Sequence, residues 1–290
     1  TAAIGAALAI AGAVMSWMQK PASLRRPLAK LKASDLSRIQ LDRAAGSLVL
    51  ERKAGKWRLV SPVADAVDAS AADELALALI ETSLGSEVSR DPQGYADYEL
   101  DEASAVRARV FTVAGSAPAL DGYFGKSAMG ASLYFRGARE APVFLASGVQ
   151  PYLLRRGADD LRCRTLLTYP LDSLSSLRFE APGTAFTLTR SRASWTASGR
   201  KLSQDKAAEL VLAATSLRFA SFASGAEPAK KTGLDKPSFS INAEADGVRE
   251  RILIGKEAGG MRWARVEERG AMGMISAAEF DSLLKSLRGR

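Results

Sequence analysis

Histidine is missing from this sequence, and cysteine occurs once, at Cys163. The first absence removes the commonest general base, the commonest metal ligand and the usual near-neutral pH switch. The second excludes an internal disulfide, a thiolate metal cluster and a CxxC redox pair. A lone Cys is expected to be a small buried hydrophobe. Aromatic residues make up only 7%. They form no RNA-binding signature, and zinc-finger spacing and a long basic helix are missing too, so nucleic acid is not an expected partner. A hydrophobic share of 47% beside a charged share of 25% is the balance of a folded chain, and 290 residues allow two domains. The net charge of +8 suits an anionic surface or plain solubility. The positives gather at Lys20, Arg25, Arg26, Lys30 and Lys32, and again at Arg155, Arg156, Arg162 and Arg164.

One long uncharged run is present. Residues 1–18, with Ile4, Leu8, Ile10 and Val14 and with Trp17 near the end, carry no charge. As a helix this run spans ~27 Å, enough for a bilayer core, and Trp17 suits the interfacial belt. A single-span anchor is therefore expected over 1–18, with a juxtamembrane linker over 19–34. A cleaved signal peptide and a buried helix are the alternatives. Because the sequence does not start with Met, a short preceding piece is expected. The basic residues after the run favour a cytoplasmic C-terminal side, but the flank before Thr1 is unseen, so charge leaves the orientation open.

The remainder is self-similar. Ile39 and Leu177, Arg52 and Arg190, and Trp57 and Trp195 each stand 138 positions apart. Asp101 and Asp235 differ by 134, and Gly125 and Gly255 by 130, as small indels accumulate. Alternation at Ile39/Leu41, Leu48/Leu50 and Trp57/Leu59 has the period of two of half-buried strands, with turns at 44–46 and 54–56. Both Trp residues are expected in core packing. Helices follow. One opens at the capping-box pattern Ser70 to Asp73 and buries Leu75, Leu79 and Ile80; the other opens near Ser203, with Asp205 in its first turn and Leu210, Val211 and Leu217 buried. Strands are expected at Phe111, Tyr134 and Val143 and at Phe239, Trp263 and Met274. Capping boxes at Ser147/Gln150 and Ser276/Glu279 should open closing helices. Each unit then reads as three strands, a helix, about four strands and a short helix. The expected fold class is α+β: two tandem homologous units of largely antiparallel sheet with packed helices, preceded by one transmembrane helix. The first unit covers 35–158, a linker 159–171 and the second unit 172–290. Residues 224–231 read as an exposed loop.

No motif carries recognisable chemistry. Gly125-Lys126 lacks the upstream Gly of a P-loop (Leu120 stands there) and Gly255-Lys256 is followed by Glu257, so both read as strand-ending turns with the glycine at positive φ. Asp91, Asp97, Glu99, Asp101 and Glu102 do not fit an EF-hand and read as a solvated loop and helix end. Ser203 and Lys206 have S-x-x-K spacing, but capping is the simpler account. No catalytic, cofactor or metal residue is expected, and the protein reads as a non-enzyme.

The repeated elements L-x-x-I-x-L, the strand-borne Trp57 and Trp195, the G-L-D-x-P of Gly233, Asp235 and Pro237, the I-G-K around Gly255 and an aromatic-x-Arg strand resemble the DUF4340 family of domains of unknown function. The second copy keeps the pattern better; the first has Tyr98 and Phe124 where it departs. The resemblance implies tandem domains behind one N-terminal span, associated with ABC transporters of gliding motility. It further implies a single-pass protein of the bacterial inner membrane with its soluble domains in the periplasm. Its partners would be the lipid bilayer and the subunits of that complex, reached by protein-protein docking. The alternative is an extracytoplasmic binding module for a polysaccharide, lipid or peptide.

Overall fold

A computed structural model describes residues 26–192, 194–198, 202–225 and 227–288. The expected anchor, with Ile4, Leu8, Ile10, Val14 and Trp17, lies outside the described residues, as do Lys20 and Arg25. Among the described residues no helix is long and apolar enough to cross a membrane. The chain is mixed α/β with two mainly antiparallel sheets and few helices. It divides into two units. One holds residues up to Pro62 and Ser70–Gly157, and the other holds Val63–Ala69 and Ala158–Arg290.

The first unit opens with β1 (Arg26–Pro27), then the meander β2 (Leu36–Arg43), β3 (Gly46–Lys53) and β4 (Lys56–Ser61). The two-residue β5 (Asp65–Ala66) belongs to the second unit. The first unit resumes at α1 (Ala69–Glu81), β6 (Ser83–Ser89), β7 (Val106–Thr112), β8 (Leu120–Ala128), β9 (Ser132–Gly137), β10 (Val143–Ser147) and α2 (Pro151–Arg155). From β1 to β4 its sheet runs β1-β6-β10-β9-β8-β7-β2-β3-β4. Alternation drives the meander: Ile39, Leu41, Leu48, Leu50, Trp57 and Leu59 are buried, each such side chain contributing ~1.5–3 kcal/mol. The Trp57 indole also donates to Asp73 Oδ1 at 3.1 Å.

The second unit continues with α3 (Ala158–Leu161), β11 (Leu174–Ala181), β12 (Thr184–Ser191), β13 (Ser194–Ala197), α4 (Gln204–Ser216), β14 (Phe219–Phe222) and α5 (Ala229–Thr232). It closes with β15 (Phe239–Ala245), β16 (Val248–Ala258), β17 (Met261–Val266), β18 (Ala271–Ser276) and α6 (Ala277–Arg288). Its sheet runs β14-β18-β17-β16-β15-β11-β12-β13. Traced from β6 to β4, the first sheet has the same strand order. Leu210, Val211 and Ala214 of α4 and Phe280 and Leu283 of α6 cover this sheet, meeting Leu177, Phe179, Ile241, Ile252 and Ile254. Ser203 caps α4 by accepting from Lys206 N at 3.3 Å, and Ser276 caps α6 by accepting from Glu279 N at 3.3 Å.

Several local expectations fail for identifiable reasons. Helix α1 already begins at Ala69, so Ser70 is not its N-cap, and Asp73 serves Trp57 instead. Ile80 is only half-buried. Ser147 ends β10 and meets Ser132 Oγ at 3.1 Å, while Pro151 starts α2 and makes Gln150 the N-cap. A strand, β6 or β14, directly follows each long helix, giving five strands there rather than four. The expected loop at 224–231 already turns helical at Ala229. Trp195 is half-buried, unlike Trp57, yet packs against the core of its unit as expected, and Cys163 is half-buried with its Sγ 3.0 Å from Thr165 Oγ1.

Candidate functional site

The Gly-Lys pairs are β-bulges. In β16, Ile254 faces Ala264 and Glu257 faces Arg262, so Gly255 and Lys256 together oppose Trp263. In β8, Phe124 faces Phe135 and Ser127 faces Leu133, so Gly125 and Lys126 together oppose Tyr134. Neither glycine has a positive φ, and neither ends its strand. Each is needed because a backbone carbonyl occupies the space of a Cβ: that of Thr232 at Gly255, and that of Tyr98 at Gly125. The approaching segment is a helical turn ending in a left-handed residue, Gly233 at φ 73° or Glu99 at φ 54°. The expected turn is thus replaced by a close approach of two segments in each unit.

The surroundings of the two bulges differ. In the first unit Tyr98 packs on Tyr134 with centroids 4.7 Å apart, and both adjoin the cluster of Leu100, Tyr123 and Val143. Arg136, nearly buried, lies over Tyr123 at 3.8 Å and Tyr95 at 4.5 Å and donates to Leu100 O at 3.0 Å. In the second unit the bulge borders an open notch of about 410 Å³ lined by Lys230, Asp235, Lys236, Lys256 and Arg262, with Gly233, Ser238 and Gly255 forming its backbone wall. Lys256 crosses Gly233 and donates from Nζ to Lys230 O at 2.9 Å. Arg262 is held by Glu257 at 2.8 Å and Asp281 at 3.8 Å, with Phe280 beneath it at 5.2 Å. Among the described residues, no ion pair engages Lys230, Lys236, Lys256 or Asp235. The sequence landmarks Gly233, Asp235 and Gly255 therefore converge, and Pro237 lies in the same turn. Neither Trp57 nor Trp195 lines the notch; Trp57 is buried in the first unit, and Trp195 packs against the core of the second. Sequence reading missed Lys230, Lys236, Ser238 and Arg262; the basic run 230–236 was the available signal.

A second charged group lies inside the second unit. Asp65, with its side chain fully buried, accepts from Arg162 Nε at 2.7 Å and pairs with Arg269 Nε at 3.4 Å. Arg162 lies over Phe222 at 3.6 Å, and Arg269 donates to the Thr165 and Cys163 carbonyls at 3.2 and 3.3 Å. The basic cluster around Cys163 is thus largely structural, Arg164 donating to Ala220 O at 2.8 Å. Glu250 is also buried, accepting from Thr168 N at 3.0 Å and from Thr168 Oγ1 at 3.2 Å. Burial pushes its carboxyl above the ordinary value, against the Thr168 bonds and the Arg269 charge. Of the acidic stretch, Asp91 caps the turn at Gln93 N and Asp101 accepts from Ala103 N and Ser104 N. Among the described residues no group of three or more acidic or Cys side chains is placed to hold a metal ion.

A model of the family described as "Domain of unknown function (DUF4340)" matches residues 57–237. The chain belongs to the DUF4340 family. The matched span starts in β4 and ends in the turn before β15, so it includes Gly125, Gly233, Asp235 and Pro237 but stops short of Gly255. No curated protein and no solved structure matches this DUF4340 chain.

Proposed function

We propose that this protein is a non-catalytic, single-pass accessory subunit of a bacterial ABC-transporter-type complex of the gliding-motility kind. In this reading residues 1–18 anchor it in the inner membrane. Its periplasmic part is one α+β unit duplicated in tandem, and it acts by docking to protein partners. The shared eight-strand order and the shared Gly-Lys bulge support duplication. The resemblance of its motifs to membrane-anchored family members supports the setting.

The observation that carries docking is the outer edge of β6. There β1 pairs at Ser83 and Leu84, β10 pairs on the other side, and Val88 is 42% exposed. Such an edge accepts an extended segment of a partner by main-chain pairing. The edge strand β13, by contrast, is plugged: the Gln204 amide accepts from Trp195 N and donates to Trp195 O, both at 2.9 Å. Purification from native membranes in gentle detergent tests the reading. An ATPase and its membrane subunit should co-elute in fixed ratio and be lost with Val88→Lys, which blunts the edge. Elution of the wild-type protein alone would remove the proposal.

A second reading, an extracytoplasmic module for a polysaccharide, lipid or peptide, draws on one observation. An apolar hollow of about 310 Å³ in the second unit is lined by Phe179, Phe186, Phe239, Leu284 and Leu287. Saturable binding of a lipid or peptide, lost on Phe239→Ser, would favour it over docking.

A further inference from the structure

We infer that the notch beside the Gly255-Lys256 bulge is a binding site for a phosphate-monoester group. The two units build the same backbone device, a left-handed helix end pressed against a bulged strand, so packing accounts for the glycines in both. It does not account for what lies around them. In the first unit Tyr98 and Tyr134 pack on each other beside the bulge, whereas the second unit has an opening of about 410 Å³ beside its own. An opening of that size is in the range of small-ligand sites.

The charge inventory selects the ligand. Arg262 is neutralised by Glu257 and Asp281 and acts as wall rather than ligand donor. Lys230, Lys236 and Lys256 against Asp235 leave two positive charges in the lining, and the second carboxylate on Arg262 lowers the local excess to one. A phosphate monoester at neutral pH carries about 1.5 to 2 negative charges and offers three strong acceptor oxygens. The bulge aims Lys256 across Gly233 toward the Lys230 carbonyl, which fixes the ammonium and uses one of its three donors. Two remain for a ligand oxygen. The Ser238 hydroxyl shares its single proton between the Ile254 and Gly255 carbonyls, at 3.1 and 3.3 Å, and so ties the bulge to the wall of the notch. Asp235 adds an acceptor for a hydroxyl on the organic part of an ester. Unlike a P-loop, this site uses lysine side chains as point charges rather than a cradle of loop amides.

The site is independent of docking at β6, and the test keeps them apart. Calorimetric titration of the full chain with inorganic phosphate and with glycerol phosphate, at constant ionic strength with chloride as reference, should show saturable one-site binding. Lys236→Ala/Lys256→Ala should weaken it by at least about tenfold, each lost lysine contributing on the scale of a partly screened ion pair. Lys126→Ala, the bulge lysine of the first unit, and Val88→Lys should leave it unchanged. Sedimentation with phosphatidic acid vesicles in excess of that with phosphatidylcholine vesicles, the excess competed by glycerol phosphate, would mark a lipid headgroup as the source of the ester. Binding of glycerol phosphate without that excess would mark a soluble one, and either supports the site. Heats no different from chloride, or equal affinity in the folded double variant, would overturn it and leave only a solvated basic face.

Discussion

Replacing Asp65 by Asn removes the only carboxylate that meets both Arg162 and Arg269 among the described residues, while keeping the side-chain volume. Both arginine side chains are less than one-tenth exposed, so neither can recover water without opening the unit. Breaking a buried pair by deleting one partner costs about 3–5 kcal/mol, because a charge is left stranded. For a unit of this size, ~3–4 °C per kcal/mol translates that into a midpoint lower by roughly 9–20 °C. Differential scanning calorimetry of the full chain should show the loss in the second unit's transition. Asp159 provides the internal control: it also meets Arg162, at 3.2 Å, but its side chain is 59% exposed. Asp159→Asn should therefore cost at most about 1 kcal/mol, the range of surface pairs. If the two variants melt together, the buried-charge argument fails.

Trp57→Ala should cost ~3–5 kcal/mol in chemical denaturation, as a cavity forms and the Asp73 bond is lost; half-buried Trp195→Ala should cost about half of that. Equal losses would show that exposure is not what separates them. Gly255→Ala and Gly125→Ala should each lower stability by about 1–3 kcal/mol, since the added methyl meets the Thr232 or Tyr98 carbonyl. Gly183→Ala, at a hairpin glycine with open space around its Cα, would lose through its φ of 79° alone and separates collision from backbone strain. The raised pKa of Glu250 gives a pH dependence with a definite sign. The folded state holds that proton to higher pH than the unfolded state, so the contribution is most favourable below the ordinary carboxylate value of 4.5 and is lost as pH rises through the folded pKa. Stability of the wild type relative to Glu250→Gln, measured by urea unfolding across that range, should therefore fall with increasing pH; a rise would contradict the dominance of burial.

Much of the architecture was legible because its cause is local. The period-two alternation of Ile39/Leu41 and Leu48/Leu50 and the caps at Ser203 and Ser276 each depend on residues a few positions apart. What misled was also local. A capping pattern at Ser147 looked sufficient, yet Pro151 fixes the helix start three residues later than the serine would serve. The Gly-Lys pairs invited a turn because a glycine's usual reason is its φ, whereas here the reason is a carbonyl brought from more than twenty positions away. Long-range charge pairing was invisible: Asp65 and Arg162 are 97 positions apart, and the basic cluster that holds Arg162 names no acidic partner. The notch was half legible, since Gly233, Asp235 and Gly255 were singled out as repeat landmarks while the lysines beside them were not.

The assignment of Val63–Ala69 to the second unit has a consequence for biosynthesis. Ala66 O accepts from Cys163 N at 2.9 Å, and Asp68 N donates to Leu161 O at 2.8 Å, so this short stretch is stitched to residues made much later. At ~5–20 residues per second, the ribosome spends roughly 5–20 s on Ser70–Gly157 before the first of those partners emerges, and longer before Arg269 does. For that interval Asp65 is a carboxylate waiting for its cations. The first unit must therefore close around a gap in its own chain order. A nascent chain arrested just past residue 158 would expose the waiting segment to a protease, and completion through Arg269 would protect it.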